Sequence, residues 1–421
     1  MFKKWKHRFN ETIEIFSHRT FTFISLFMSL YSLAKALRIT VMGWYIYDVT
    51  GNPVHLGFLA LAESIPYILT NPFGGYLADR QGRVRQSYVL VVVSFILTFL
   101  LCYIVSQPYA VKTLWWVYGV FMGFGFFRGL FASGALPTLL ALSISRERFQ
   151  RANAWNGTVL QMGIVLGPVI GGVLYSYYGV VVANASVILF MVMCFVFLFF
   201  IEDKPVDKNQ TAGSEWHKLT IGFRYIFSHP ALRTTVLLDF VAVVFSGVTG
   251  LLPVFAKDIL HLGPDGLGYL RAAIQIGSIT AGLLLANYHL KNYIGRQYML
   301  AVVLFCLSLL LFSFSTSFVL SLVLLFLSGL FDWAGAVIRQ TVMRLLTPEN
   351  ILGRVTSART LFTISSNEIS SFESGLVAGM IGTIPSVVFG VAVTLAATAY
   401  VWFFVPVIKD INMKALLRDK G

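Results

Sequence analysis

Charge is scarce in this chain of 421 residues: Asp, Glu, Lys and Arg together make up 12%, where a soluble domain carries roughly 25%. Cysteine is scarcer still. The three present, Cys102, Cys194 and Cys306, all fall inside apolar runs, which excludes a disulfide framework or a Cys-x-x-Cys metal site and leaves them as packing residues. Histidine is missing from the middle of every apolar run; His7, His18, His55, His217, His229, His261 and His289 sit in tails, loops or run ends. No Gly-x4-Gly-Lys-[Ser/Thr] loop, no His-Glu-x-x-His and no Ser/His constellation is found, so neither ATP drive nor hydrolysis is supported. No cofactor, no metal and no enzymatic activity are expected. A short apolar core followed by a small-residue cleavage site is also lacking. The first apolar run begins near Thr20 and continues to about Tyr47, which reads as a retained span.

What the sequence does have is apolar surface, with 57% hydrophobic residues. That much cannot be hidden inside a water-soluble globule of this length, so the solvent is lipid. Twelve spans at about 20–25 residues each take roughly 240–300 residues, leaving loops, two tails and one longer connector. Apolar runs between polar punctuation predict helices near 20–47, 54–77, 86–106, 113–140, 154–176, 180–201, 231–256, 266–288, 297–315, 318–344, 356–380 and 385–407. The net charge of +13 does not signal nucleic acid, because the basic residues lie in loops between these runs. With the N-terminus inside, one face receives Arg80, Arg83, Arg85, Arg146, Arg148, Arg151, Lys291, Arg296, Arg354 and the terminal lysines, while the opposite loops receive only Lys112 and Lys257. The positive-inside rule therefore places both termini in the cytoplasm.

The stretch from Glu202 to His229 has mixed charge, Pro205, Gly213 and Pro230, and divides the runs six and six. The expected organisation is a cytoplasmic amphipathic segment at 1–19, a six-helix bundle at 20–201, a linker at 202–230, a second bundle at 231–407 and a cytoplasmic tail at 408–421. Trp5, Phe9, Ile13 and Phe16 recur among Lys3, Lys4, Lys6 and Arg8, as on a helix lying on the inner leaflet. Weak internal repetition, Glu147 and Phe149 against Glu349 and Ile351, supports the division.

Between the second and third runs stands Gly74-Gly75-Tyr76-Leu77-Ala78-Asp79-Arg80-Gln81-Gly82-Arg83-Val84-Arg85. Glycines permit a sharp turn and close approach, and a carboxylate among arginines makes charge-assisted hydrogen bonds. The string resembles the signature loop of the major facilitator superfamily, Gly-x-Leu-x-Asp-Arg-x-Gly-Arg-[Lys/Arg]. Gly75, Leu77, Asp79, Arg80, Gly82 and Arg83 match in place, and Val84 departs from the final base. The resemblance implies a conformational latch in which Asp79 faces the start of the eleventh helix near Thr356 and Ser357. The corresponding turn of the second half, Gly282 to Arg296, lacks a carboxylate. The fifth run, Gly163-Ile164-Val165-Leu166-Gly167-Pro168-Val169-Ile170-Gly171-Gly172, is similar to the family's antiporter motif, Gly-x8-Gly-x3-Gly-Pro-x2-Gly-Gly, with Ala154 in place of the first glycine. Small residues let helices approach closely, and Pro168 removes a backbone donor. Leu37-Arg38, the segment Gly43 to Gly51, Arg151-Ala152-Asn153, and Gly222 to Ile226 ahead of Pro230 resemble the bacterial branch of enterobactin and macrolide exporters. The fold implied is an all-α membrane protein of twelve transmembrane helices in two six-helix halves, the major facilitator fold, in a bacterial inner membrane.

Ionisable residues deep in the runs are Lys35, Arg38, Glu63, Arg128, Asp239, Asp332, Glu368 and Glu373. Each costs about 2.5–3.5 kcal/mol at the bilayer centre, so they must face water or one another. None lies in the third, sixth, ninth or twelfth run, the peripheral helices of the superfamily. Pairing across a central cavity is one expectation; Arg38 and Glu63, each about nine residues from the same end of adjacent runs, are also a candidate local pair. Without a deep histidine, proton coupling needs a carboxylate: Asp239, Asp332, Glu368 or Glu373, with Asp332 the first choice. The resulting reading is a monomeric secondary transporter that exports a small amphipathic compound, a drug or siderophore, against protons by alternating access. A lipid or lysolipid flippase, a small-molecule importer and a non-transporting membrane sensor are the alternatives.

Overall fold

A computed structural model describes residues 19–108, 111–132, 139–140, 143, 146–202, 215–287 and 293–405; at 75–76, 78–81, 111–112, 146–151, 154, 215–219 and 286–287 it describes the backbone alone. The amphipathic segment before residue 19 and the tail after 407 lie outside the described residues. The described chain is helical throughout: α1 Arg19–Thr50, α2 Val54–Gln81, α3 Arg83–Ser106, α4 Val111–Phe131, α5 Arg146–Leu198, α6 Glu215–Ser228, α7 Pro230–Ser246, α8 Pro264–Asn287, α9 Ile294–Ser313, α10 Phe318–Leu346, α11 Leu352–Ile381 and α12 Thr383–Phe404. Non-helical Gly179 (φ 79°, ψ 176°) divides α5 between the fifth and sixth apolar runs. With α5 counted as two helices and the connector helix α6 set aside, twelve membrane helices result, six on each side of the connector.

Nine of the described stretches are long and apolar enough to cross a membrane, one of them holding both halves of α5. α2 and α11 fall short of that mark for a physical reason. α2 carries Glu63, Pro66 and Pro72. α11 carries a run of hydroxyls and an amide, and each of Thr356, Ser357, Thr360, Ser365, Ser366, Asn367 and Ser371 donates to the main-chain oxygen four residues back. Polar side chains are tolerated in lipid when they are satisfied inside their own helix in this way.

By contact the described chain forms two compact units. One comprises the residues up to Met42 with Ala62–Ala212; the other comprises Gly43–Leu61 with the residues from Gly213 on. Phe21, Ile24, Leu37, Val187 and Cys194 are fully or almost fully buried in the core of the first unit. All three cysteines are free, Cys194 and Cys306 being buried.

Three features depart from the sequence reading. The loop between the second and third runs contracts to a single residue: α2 continues to Gln81, Gly82 takes φ 85°, and α3 begins at Arg83. A side chain rarely adopts that φ, so the turn requires glycine. The seventh run is not one helix. α7 ends at Ser246, Gly247 is extended, and a 3-10 turn at Thr249–Leu251 leads to a π turn at Phe255–Ile259. Pro253 removes a hydrogen bond and crowds the carbonyl four residues earlier, and a Cβ at Gly247 would collide with the Ser370 hydroxyl. Thirdly, the connector carries α6. Its Ile226 is buried with Leu232, Val236, Met343, Val355 and Ala358, and Tyr225 Oη donates to the Leu346 carbonyl at 2.8 Å.

Candidate functional site

The glycines of α5 position α1. Cβ atoms at Gly163, Gly167 and Gly171 would press on Ser29, Leu33 and Leu37 respectively, so two helices with a four-residue spacing of small and large residues lie in contact along two turns. α4 crosses α2 in the same manner: a Cβ at Gly125 would strike the Glu63 carbonyl, and one at Gly129 the Thr70 hydroxyl. Thr70 Oγ1 donates to the Phe126 carbonyl at 3.1 Å.

These two seats bring four of the deep charges together. Arg38 Nη2 lies 3.1 Å from Glu63 Oε2, and Arg128 Nη1 lies 3.5 Å from Glu63 Oε1. The local pairing of Arg38 with Glu63 is the arrangement found, and Arg128 joins it. Lys35 is within electrostatic reach of Glu63, and Tyr31, one turn earlier on α1, is within reach of both arginines. Arg38 and Glu63 are each 5% exposed. Aromatic rings complete the wall: the Arg38 guanidinium lies 3.4 Å from the Phe124 ring centroid, and that of Arg128 lies 4.1 Å from Tyr67. A guanidinium held between a carboxylate and a ring face keeps favourable electrostatics without water. The cluster brings three cations and one carboxylate together inside the membrane.

In the second unit the deep carboxylates separate. Asp239 of α7 pairs with Arg339 of α10, both buried, and Arg359 of α11 is close enough to act on Arg339 electrostatically. The sequence reading omitted Arg271, Arg339 and Arg359, although all three lie inside apolar runs. Their depth was the available signal: Arg339 stands nearly two turns inside the end of α10. Asp332 lines a cavity bounded by α7, α8, α9, α10 and α11. Glu368 and Glu373, half-buried on α11, do not line it.

A third cluster joins the α1–α2 turn to the π turn, both within the second unit. Tyr47 Oη donates to Asp258, and Lys257 Nζ meets Asp48 Oδ1 at 2.6 Å. Gly57 and Gly375 let α2 and α11 touch, backbone against backbone. The Lys257–Asp48 pair is partly exposed, so by itself it contributes only about 0–1 kcal/mol.

Of the signature-loop residues, Gly75, Asp79 and Arg80 have backbone positions alone, on the last turns of α2. Gly82 makes the turn, and Arg83 is buried at the start of α3. Gly172 follows Gly171 on α5, and Pro168 stands between the glycine contacts. Among the described residues no group of three or more His, Cys, Asp or Glu side chains could hold a metal ion.

The Major Facilitator Superfamily model matches residues 22–302. The enterobactin exporter EntS of Escherichia coli O1:K1 and that of Shigella boydii serotype 18 are each 25% identical over 271 residues, covering 62% of this chain. The chain spans 63% of the length of those relatives. Among solved structures, the D-xylose-proton symporter superposes with a TM-score of 0.70 at 16% identity, covering 94% of this chain and 99% of that one. The nucleoside transporter NupG superposes with a TM-score of 0.66 at 15% identity, covering 92% and 99%.

Proposed function

The chain belongs to the major facilitator superfamily and is a multi-pass membrane transporter, not an enzyme; from that premise we propose that it exports a small amphipathic compound with acidic groups, driven by protons. The observation that carries the reading is the cation-rich, aromatic-walled cluster of Lys35, Arg38 and Arg128 around Glu63. Three cations in one cluster favour a substrate that carries acidic or hydrogen-bonding groups. Rings such as Phe121, Phe124 and Tyr67 suit its apolar or aromatic part. The similarity to enterobactin exporters favours the outward direction and a bacterial inner membrane; the positive-inside bias favours cytoplasmic termini, and the protein is taken to act as a monomer. Alternating access about a midplane site is the mechanism by which such transporters work.

The coupling carboxylate is best assigned to Asp332. Asp239 already has Arg339 beside it, so its amide variant would disturb structure first. The test is flux in proteoliposomes, with a compound panel and an imposed pH gradient, for Asp239→Asn, Asp332→Asn, Glu368→Gln and Glu373→Gln. Asp332→Asn is expected to abolish gradient-driven accumulation while leaving exchange of labelled for unlabelled substrate. Full accumulation by all four variants would exclude these carboxylates as individually essential carriers. Accumulation in the opposite direction would identify an importer, and movement of a fluorescent lysolipid between leaflets a flippase.

Asp79 provides a separate check on the latch. Asp79→Asn is expected to lower turnover several-fold at equal protein level in the membrane. Undiminished turnover would remove Asp79 from the cycle.

A further inference from the structure

The α2–α4 and α8–α10 crossings follow one plan. Gly125 of α4 rides on the Glu63 carbonyl of α2, and three residues later Arg128 meets the Glu63 carboxylate. In the second unit Gly329 of α10 rides on the Ile274 carbonyl of α8, and three residues later stands Asp332. The position that supplies Glu63 in the first unit therefore supplies an apolar side chain in the second. Asp332 has the repeat position of an ion-paired residue but no counter-charge among the described residues.

Asp332 lines an open cavity of about 100 Å³, and both Asp332 and Asn367 are exposed to it. Three of its polar side chains already donate within their own helices. Ser328 Oγ donates to the Leu325 carbonyl at 2.7 Å, Ser371 Oγ to the Asn367 carbonyl at 3.3 Å, and Asn367 Nδ2 to the Thr363 carbonyl at 2.9 Å. Two hydroxyl oxygens and the Asn367 Oδ1 remain as acceptors. The end of α7 at Ser246 also reaches the cavity. The break at Gly247 leaves carbonyls of the last turn without helical partners, and a helix C-terminus carries partial negative charge. One carboxylate without a counter-charge, beside a helix C-terminus and several oxygen atoms, attracts a cation.

We propose that this cavity is a binding site for a hard monovalent cation, with Na+ as the probe, held by Asp332 and by oxygens of Asn367, Ser328, Ser371 and the end of α7. One carboxylate neutralises the one positive charge that a monovalent ion brings. The lining has no His or Cys, the donors that transition metals prefer. The proposal rests on the reading of Asp332 as the coupling carboxylate and adds an alkali cation to the ions it can hold.

Purified full-length protein in detergent is melted in NaCl and in choline chloride at equal ionic strength. Na+ is expected to raise the melting temperature saturably, with choline without effect. Asp332→Asn should abolish the shift, and Asn367→Ala should weaken Na+ affinity by about tenfold or more. Equal melting in the two salts overturns the site, as does a Na+ shift that survives in Asp332→Asn. Should Asp332→Asn fail to fold, unchanged affinity in Asn367→Ala overturns it instead. Transport then separates the two readings. A Na+ response in the native protein with full proton-driven flux in Asp332→Asn leaves the site and removes the coupling role. The opposite pair of results leaves the coupling role and removes the site.

Discussion

Replacing Glu63 with Gln is expected to destabilise the protein by about 3–5 kcal/mol, the usual effect of removing one partner from a buried ion pair. Arg38 and Arg128 would then face each other with Lys35 nearby and no carboxylate between them. Stacking on Phe124 and Tyr67 compensates for little of that, since a cation–π contact contributes about 0.5–2 kcal/mol. The double variant Arg38→Gln/Glu63→Gln should be more stable than Glu63→Gln alone, because one of the uncompensated charges has gone. Melting of the three proteins in the same detergent gives the answer. A Glu63→Gln variant as stable as the native protein would mean that the cluster is hydrated and that its charges do not depend on one another.

Gly167→Leu should separate α5 from α1 and block transport. Even a Cβ there would lie 2.6 Å from the Leu33 carbonyl and 2.8 Å from Ala36 Cβ, and backbone cannot yield as a flexible side chain does. Overpacking of such a contact costs about 1–3 kcal/mol, occasionally more. A control sits three turns away on the same helix. Gly157 has nothing within 4 Å of a Cβ, so Gly157→Ala should add about 0.5–1 kcal/mol of stability through helix propensity alone. Opposite signs at the two glycines, read from melting temperature and vesicle flux, would separate close packing from glycine content. Normal flux in Gly167→Leu would show that the α5 motif plays no part in the cycle.

Most of the architecture was legible because lipid imposes a simple rule: apolar length between polar punctuation. The division of α5 at Gly179 fell where the fifth and sixth runs meet. The same rule concealed the break in the seventh run. Apolar residues continue past Ser246, so hydropathy sees one span, and only Gly247, Gly250 and Pro253 record the interruption. Helix α6 was hidden by its company, an amphipathic stretch beside charged residues that acquires an apolar partner only when Val355 and Ala358 are brought to it.

Within the site, Arg38 and Glu63 could be paired by counting depth along adjacent antiparallel runs. Arg128 could not, because its place beside Glu63 depends on the approach of α4 at Gly125. Arg339 was overlooked because an arginine near a run end reads as part of the basic collar at the membrane surface. Its side chain instead turns inward to Asp239.

The hydroxyls of α11 give that helix mechanical properties unlike those of its neighbours. A side chain that donates to the carbonyl four residues back shares that oxygen with the main-chain N–H, lengthening the backbone hydrogen bond and easing curvature. In α2 and α5 such compliance is concentrated at prolines, Pro66 and Pro72 in α2 and Pro168 in α5, which fix where the helix yields. In α11 it is spread over the turns from Thr356 to Ser371, without proline. A rod weakened evenly flexes smoothly, and it can pass through intermediate curvatures without losing a hydrogen bond at any of them. α11 supplies Asn367, Ser370 and Ser371 to the wall of the Asp332 cavity, so the evenly compliant helix is one that shapes that cavity.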